Sequence, residues 1–152
     1  MTTKGTSTQA GDATQWTDEE RAAMKEHAAE LKRAGGKGAA KKAEEAQACL
    51  DKIAEMPDRD RVLAERIHAI VTQTAPDLDV KTWYGMPAYA RDGKVVCFFK
   101  PAEKFKARYA TLGFDDAAAL DDGGMWATSF GITTLTEADE KRIADLVRRA
   151  TS

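Results

Sequence analysis

The segment from Lys81 to Tyr109 constrains the fold most strongly, because it combines a tight-turn signal with aromatic and β-branched residues. Asp92-Gly93 separates two apolar runs within it, and this dipeptide accepts the positive φ angles that a two-residue β-hairpin requires. The run from Lys94 to Phe99 is apolar at odd and even positions alike, which is typical of a strand covered on both faces. The sequence therefore predicts a hairpin whose second strand lies at the centre of a sheet.

Amphipathic helices are predicted before and after this sheet along the chain. Three precede it, at about 17–34, 41–56 and 58–74, and one follows the last strand. Thr17 with Glu20 and Thr134 with Glu137 have the spacing of capping boxes for the first and last helices. A further strand is predicted at 79–84, and two more at 104–109 and 125–133, where apolar and polar residues alternate, with a short helical turn at 115–120 between these two.

The predicted fold class is therefore α+β, a mainly antiparallel sheet packed against helices, with an N-terminal helical extension. Residues 1–15 carry no fold signal and are predicted to form a disordered tail. Residues 16–56 form the extension, two helices around the glycine-rich joint at 35–38, and residues 57–152 form the α+β domain.

Composition excludes several classes of function. The formal net charge of −2 argues against a nucleic-acid partner, which would require a basic excess to replace phosphate counterions. No apolar run reaches membrane-spanning length and the first residues lack a signal peptide, so we expect a cytoplasmic monomer without a membrane partner. Cys49 and Cys97 are isolated in apolar patterns, which predicts buried thiols rather than a redox pair or zinc site.

No constellation of catalytic residues is visible. The chain has two histidines and no nucleophile motif such as Gly-x-Ser-x-Gly, and carboxylate pairs on helix surfaces cannot by themselves nominate an acid and a base. We therefore expect a non-enzymatic binding or carrier protein that requires no cofactor.

Two groups of residues are candidates for holding a metal ion. Glu65 and His68 lie three residues apart on the third helix, an arrangement used in di-iron bundles. The alternative is that Glu65 pairs with Arg61 one turn earlier and that His68 flanks the core. The second group lies between the predicted strands at 104–109 and 125–133, and turn or helix-cap chemistry explains these residues equally well. Its members are Asp115, Asp116, Asp121 and Asp122.

A row of acids on the first helix is a weaker cation candidate. Glu19, Glu26 and Glu30 recur at i, i+7 and i+11, and a solvated helix face is the commoner explanation of such a row.

A binding face on the sheet is the other candidate site. Lys106 and Arg108 are expected to point outward near aromatic residues, where they would receive an anionic small molecule or an acidic protein partner. The alternative is that the aromatics complete the core and the cations protect an edge strand. The remaining residues of this candidate are Trp83, Tyr84, Met86, Pro87 and Tyr89.

Three stretches carry a resemblance to a known family. They read WYGMPAYARDGKVVCFF from Trp83, KFKARYATLGF from Lys104 and LDDGGMWATSF from Leu120. Over roughly the last two thirds of the chain the sequence resembles the YdhG-like domain family, some members of which are described as frataxin-like iron chaperones. The resemblance implies a frataxin-like α+β fold and weakly bound iron. In such carriers iron lies on acidic helix and edge positions, which here match Asp58, Asp60 and Glu65, and the open sheet face docks a protein partner.

Overall fold

The α+β class is confirmed by the computed structural model, which describes residues 16–33 and 38–152 as four helices and a five-stranded antiparallel sheet. The predicted tail at 1–15 and most of the predicted joint at 35–38 lie outside the described residues. In chain order the elements are α1 (Asp18–Arg33), α2 (Ala39–Glu55), α3 (Asp58–Thr74), β1 (Asp79–Trp83), β2 (Met86–Arg91), β3 (Lys94–Lys100), β4 (Ala110–Phe114), β5 (Ser129–Ile132) and α4 (Glu137–Ala150).

The strands are neighbours in the order in which the chain visits them, β1-β2-β3-β4-β5, so β3 is the central strand as predicted. The hairpin at Asp92-Gly93 is also confirmed, because both residues have positive φ angles of 52° and 80°. A second two-residue hairpin, which was not predicted, joins β1 to β2 through Tyr84 and Gly85, with φ angles of 54° and 76°.

The core lies between one face of the sheet, here called the inner face, and helices α2, α3 and α4. Helix α2 contributes Cys49 and Ile53 to this core, so the second predicted helix of the extension packs with the sheet. Burial raises the pKa of both Cys49 and Cys97 to about 12, and both are buried free thiols as predicted. Strand and helix residues that meet at the inner face include Tyr89, Phe99, Leu112, Phe114, Ile67, Val71 and Val147.

The predicted strand at 104–109 is wrong. Lys106 has a left-handed φ of 52°, and the amides of Lys106 and Ala107 donate to the carbonyls of Glu103 and Ala102 as in turns. Strand β4 begins directly afterwards. Strict alternation of side chains indicates a period of two, but a left-handed residue in the middle of the run cannot belong to a regular ladder.

The structure between β4 and β5 is less regular than predicted, and β5 is shorter than predicted. Residues 115–120 form a turn, in which the amide of Ala118 donates to Asp115, rather than a helix. Strand β5 pairs with β4 only over Ser129–Ile132, because β4 itself ends at Phe114. Trp126 and Thr128, predicted to point inward, are therefore exposed.

Capping chemistry was predicted correctly for α1 and displaced by two residues for α4. The Thr17 amide donates to Glu20 Oε1 at 2.9 Å and the Glu20 amide to Thr17 Oγ1 at 3.0 Å. At α4 the capping box joins Thr136 and Asp139 rather than Thr134 and Glu137. Because an aspartate at the third helical position can close the box as a glutamate does, the sequence contains two overlapping candidates for this capping box.

Within the described residues, no helix combines the length and apolar character needed to cross a membrane.

Candidate ligand groove and the placement of the predicted sites

Helix α1 lies on the opposite side of the sheet from the core and contacts β1. Between α1 and this outer face runs a groove of ≈ 580 Å³, larger than the cavity of ≈ 390 Å³ between β5 and α4. Strand alternation places every second side chain of β1 to β5 on the outer face. The apolar walls of the groove are formed chiefly by Trp16, Met24, Trp83, Met86, Phe98 and Phe105.

Aromatic contacts fix the floor of this groove. The ring of Trp83 meets those of Phe98 and Tyr84 edge-on, each with centroids 5.2 Å apart. Phe98 covers Gly113 on the neighbouring strand so closely that a Cβ there would overlap its ring. Because Gly113 has no side chain, it leaves the space over β4 that the Phe98 ring occupies.

One ammonium group faces this apolar surface without a carboxylate partner. Lys100 Nζ lies 5.1 Å from the centroid of Phe105, and no ion pair joins it to a carboxylate in residues 16–33 and 38–152. The acid that lines the groove, Glu20, is already engaged in the capping box of α1. Thr111 and Ser129 add hydroxyl groups. The groove therefore combines an apolar body with one cation available to an anionic group.

The acidic row of α1 fastens this helix to α2, to the loop after β3 and to the β1–β2 turn. Glu19 pairs with Lys106 at 3.1 Å, and Glu26 pairs with Lys52 at 2.8 Å and with Lys104. Burial acts to raise the pKa of Glu26, but Lys104 and Lys52 outweigh it and hold this pKa below its ordinary value.

Glu30, the last acid of the row, accepts hydrogen bonds from the backbone amides of Tyr84 and Gly85 at 2.8 and 2.9 Å. His27 stacks on the ring of Tyr84, with centroids 4.0 Å apart and planes inclined by 13°. These cations and amides occupy the carboxylates that the row would need to hold a metal ion.

The structure divides the predicted ligand-binding residues between two faces. Trp83, Tyr84 and Met86 line the groove. Lys106 forms an ion pair with Glu19, the neighbour of the groove residue Glu20. The other predicted members point elsewhere: Pro87 and Tyr89 are buried, Tyr89 in the inner-face core, and Arg108 stacks on Tyr109 while its carbonyl accepts a hydrogen bond from Arg59.

The predicted metal residues do not converge. Glu65 is exposed beside Arg61, and His68 shares a hydrogen bond of 2.9 Å with the hydroxyl of Tyr89. In the described ranges no group of three or more His, Cys, Asp or Glu side chains is arranged to hold a metal ion. The acids of the loop between β4 and β5 are exposed. These are Asp115, Asp116, Asp121 and Asp122.

An acid named by the family resemblance has a structural partner. Asp60 is buried, and its two oxygens accept hydrogen bonds from the amides of Ala102 and Glu103 at 3.1 and 2.9 Å. Asp60 therefore ties α3 to the loop after β3.

Sequence reasoning missed Phe98, Lys100 and Phe105 of the groove. The unrecognised signal was the Tyr84-Gly85 turn, because a two-residue hairpin places its flanking residues, here Trp83 and Met86, opposite each other on one face. Phe98 and Lys100 cannot be assigned by counting alone, because the register between β2 and β3 shifts at Tyr89/Ala90, and this shift places Phe98 opposite Ala88 on the outer face.

Comparisons with protein-family models, curated proteins and solved structures found no match to this chain. The resemblance to the YdhG-like family and its iron role stay predictions.

Proposed function

We propose that this protein is a non-enzymatic binding module whose outer-face groove takes a small molecule with an apolar body and one anionic group. The single observation that carries this proposal is Lys100, an ammonium group without a carboxylate partner among the described residues, placed in a groove walled by Trp83, Phe98 and Phe105. Binding of an anionic ligand on a sheet face is one of the two functions that the sequence predicts.

The chemistry of the walls supports an amphipathic ligand rather than a compact anion. Each buried methylene group of a ligand contributes about 0.8 kcal/mol in apolar surroundings, whereas an ion pair open to solvent contributes only about 0–1 kcal/mol. Affinity therefore comes from the apolar body, and Lys100 selects the charged end.

A reducing compartment such as the cytoplasm suits this protein, because Cys49 and Cys97 are both free thiols.

Decanoate and decan-1-ol provide a matched pair of probes, since they share an apolar chain and differ in charge. We expect both to shift the NMR signals of Trp83 and Thr111, with decanoate binding roughly two- to fivefold more tightly at neutral pH. Lys100→Gln should remove this preference while leaving the binding of decan-1-ol unchanged.

Lys94→Gln serves as the matched control, because Lys94 is the exposed residue at the other end of β3. This variant should keep the preference for decanoate. Absence of localised shifts with decanoate at about 1 mM, or equal affinity of the wild type for both probes, would contradict the proposal.

A further inference from the structure

The β1–β2 turn is a built site for a carboxylate. Tyr84 and Gly85 are successive left-handed residues, with φ angles of 54° and 76°, and both amides donate to the same carboxylate, that of Glu30. Consecutive amides in such a turn form a concave, electropositive nest that binds anions. Glu30 is only 7% exposed, so the nest holds a nearly desolvated charge.

A second carboxylate, one helical turn earlier, is bound at the same turn. Glu26 approaches Gly85 so closely that a Cβ on this glycine would lie 2.5 Å from its Oε1. Lys52 of α2 and Lys104 of the loop after β3 neutralise it. Two amides and two ammonium groups thus bind two carboxylates spaced four residues apart on one helix.

Apolar burial contributes little to holding α1 in this place. Ala23 and Glu30 are the buried residues among the described side chains of α1, whereas Met24 and Leu31 are 41% and 63% exposed. Its charged contacts therefore carry most of its attachment, and a competitor with the same charge pattern would meet the same complementary groups.

We propose that the β1–β2 turn, Lys52 and Lys104 form a docking site for an acidic helix of a partner protein, which α1 occupies as an internal ligand. Charge complementarity identifies the partner: its helix carries two carboxylates four residues apart, with a small residue three positions before the first, as Ala23 precedes Glu26. This proposal goes beyond the ligand groove and does not depend on Lys100.

The experiment uses the full chain and a fluorescent peptide with the sequence of residues 16–33. In the wild type the tethered α1 competes at a high effective concentration and weakens peptide binding. In the Glu26→Gln/Glu30→Gln chain this competition is reduced, so we expect the peptide to bind roughly tenfold more tightly or better than to the wild type. Fluorescence anisotropy measures both affinities.

Three matched controls define the site. A peptide with glutamine at both acidic positions should lose binding to the double variant. Adding Lys52→Gln and Lys104→Gln to the double variant should also abolish binding of the acidic peptide. Asp18→Asn, a change at an exposed acid of α1, should leave the wild-type affinity unchanged.

Hydrogen exchange of the β3 amides checks that the double variant is folded. If protection there is lost, Glu26→Asp/Glu30→Asp takes its place, because aspartate keeps the charge but shortens the reach of each carboxylate.

Equal affinity of the peptide for the wild type and the variant, or binding that survives loss of Lys52 and Lys104, would overturn the proposal. A concentration-dependent dimer of the wild type that Lys104→Gln abolishes would overturn it too, because the site would then belong to a second copy of this chain.

Discussion

At the scale of single residues, two glycines with nearly equal φ angles have different surroundings. Gly85 has a φ of 76° and lies against the Glu26 carboxylate, whereas Gly93 has a φ of 80° and open space around it. Gly93→Ala should cost about 1 kcal/mol of unfolding free energy, the strain of a left-handed alanine. Gly85→Ala adds a collision with Glu26 and should cost roughly 2–3 kcal/mol in urea denaturation.

Hydrogen exchange separates the two causes of this difference. Gly85→Ala should lower the protection of α1 amides, since the added methyl group displaces Glu26, and Gly93→Ala should not. Equal free-energy losses in the two variants would show that the contact between Glu26 and Gly85 does not constrain the turn.

His68 should make the free energy of unfolding depend on pH in a direction that its lowered pKa determines. Burial lowers the pKa of His68 from its ordinary value of 6.5, so the unfolded chain binds the proton more readily than the folded one. This residue should therefore reduce stability as the pH falls below about 6.5 toward its lowered pKa, and have no such effect above it. Urea denaturation at about pH 7.5 and 5.5 should show a smaller loss in His68→Gln than in the wild type, and an equal loss would contradict this.

At the scale of elements, the loop between β3 and β4 depends on one buried carboxylate. Asp60 accepts hydrogen bonds from two backbone amides of this loop. An asparagine in its place would offer one oxygen to one amide and present an NH₂ group to the other. We expect Asp60→Asn to cost roughly 2–4 kcal/mol in urea denaturation.

Asp58→Asn is the matched control for this change. Asp58 starts the same helix but is exposed beside Arg61, so its loss should cost about 0–1 kcal/mol. Similar costs for the two variants would mean that Asp60 does not anchor the loop.

Elements were predictable where side-chain pattern and backbone chemistry agreed. Asp92-Gly93 between apolar runs predicted the hairpin, and the uniformly apolar β3 predicted the central strand, because each signal acts over a few neighbouring residues. The run from Lys104 to Tyr109 misled, since its alternation is real but Lys106 is left-handed. That conformation is set by the loop's anchor on Asp60, which lies more than forty residues earlier in the chain.

The groove was predictable only in part for the same reason. Proximity in sequence grouped Trp83, Tyr84 and Met86, which all line the groove, but Pro87 cannot share a face with Met86 in an extended strand. The Phe98 contribution required the register between β2 and β3. The partners of Glu26 required knowing which lysines α1 meets, and side-chain spacing on one helix does not contain this information.

At the scale of the whole molecule, the sheet is covered by two attachments of different chemistry. On the inner face, α2, α3 and α4 bury a continuous apolar core that includes Ile67 and Val71. On the outer face, α1 is fastened mainly by carboxylates. Apolar burial is insensitive to protonation, whereas carboxylate contacts are lost when the acid is protonated. The two faces should therefore respond differently to acid.

Helix α1 should detach before the core opens as the pH falls. Because the folded-state pKa of Glu26 is lowered from 4.5, its contribution to docking is complete above about pH 4.5 and is lost as the pH falls through the lowered pKa. Hydrogen exchange measured in steps from about pH 7 to pH 3 should show α1 amides losing protection while β3 amides retain it, after correction for intrinsic exchange rates. In Glu26→Gln, α1 should be less protected already at neutral pH and change less with acid. Loss of protection in α1 and β3 at one common pH would mean that the helix is held by the same cooperative core as the rest of the chain.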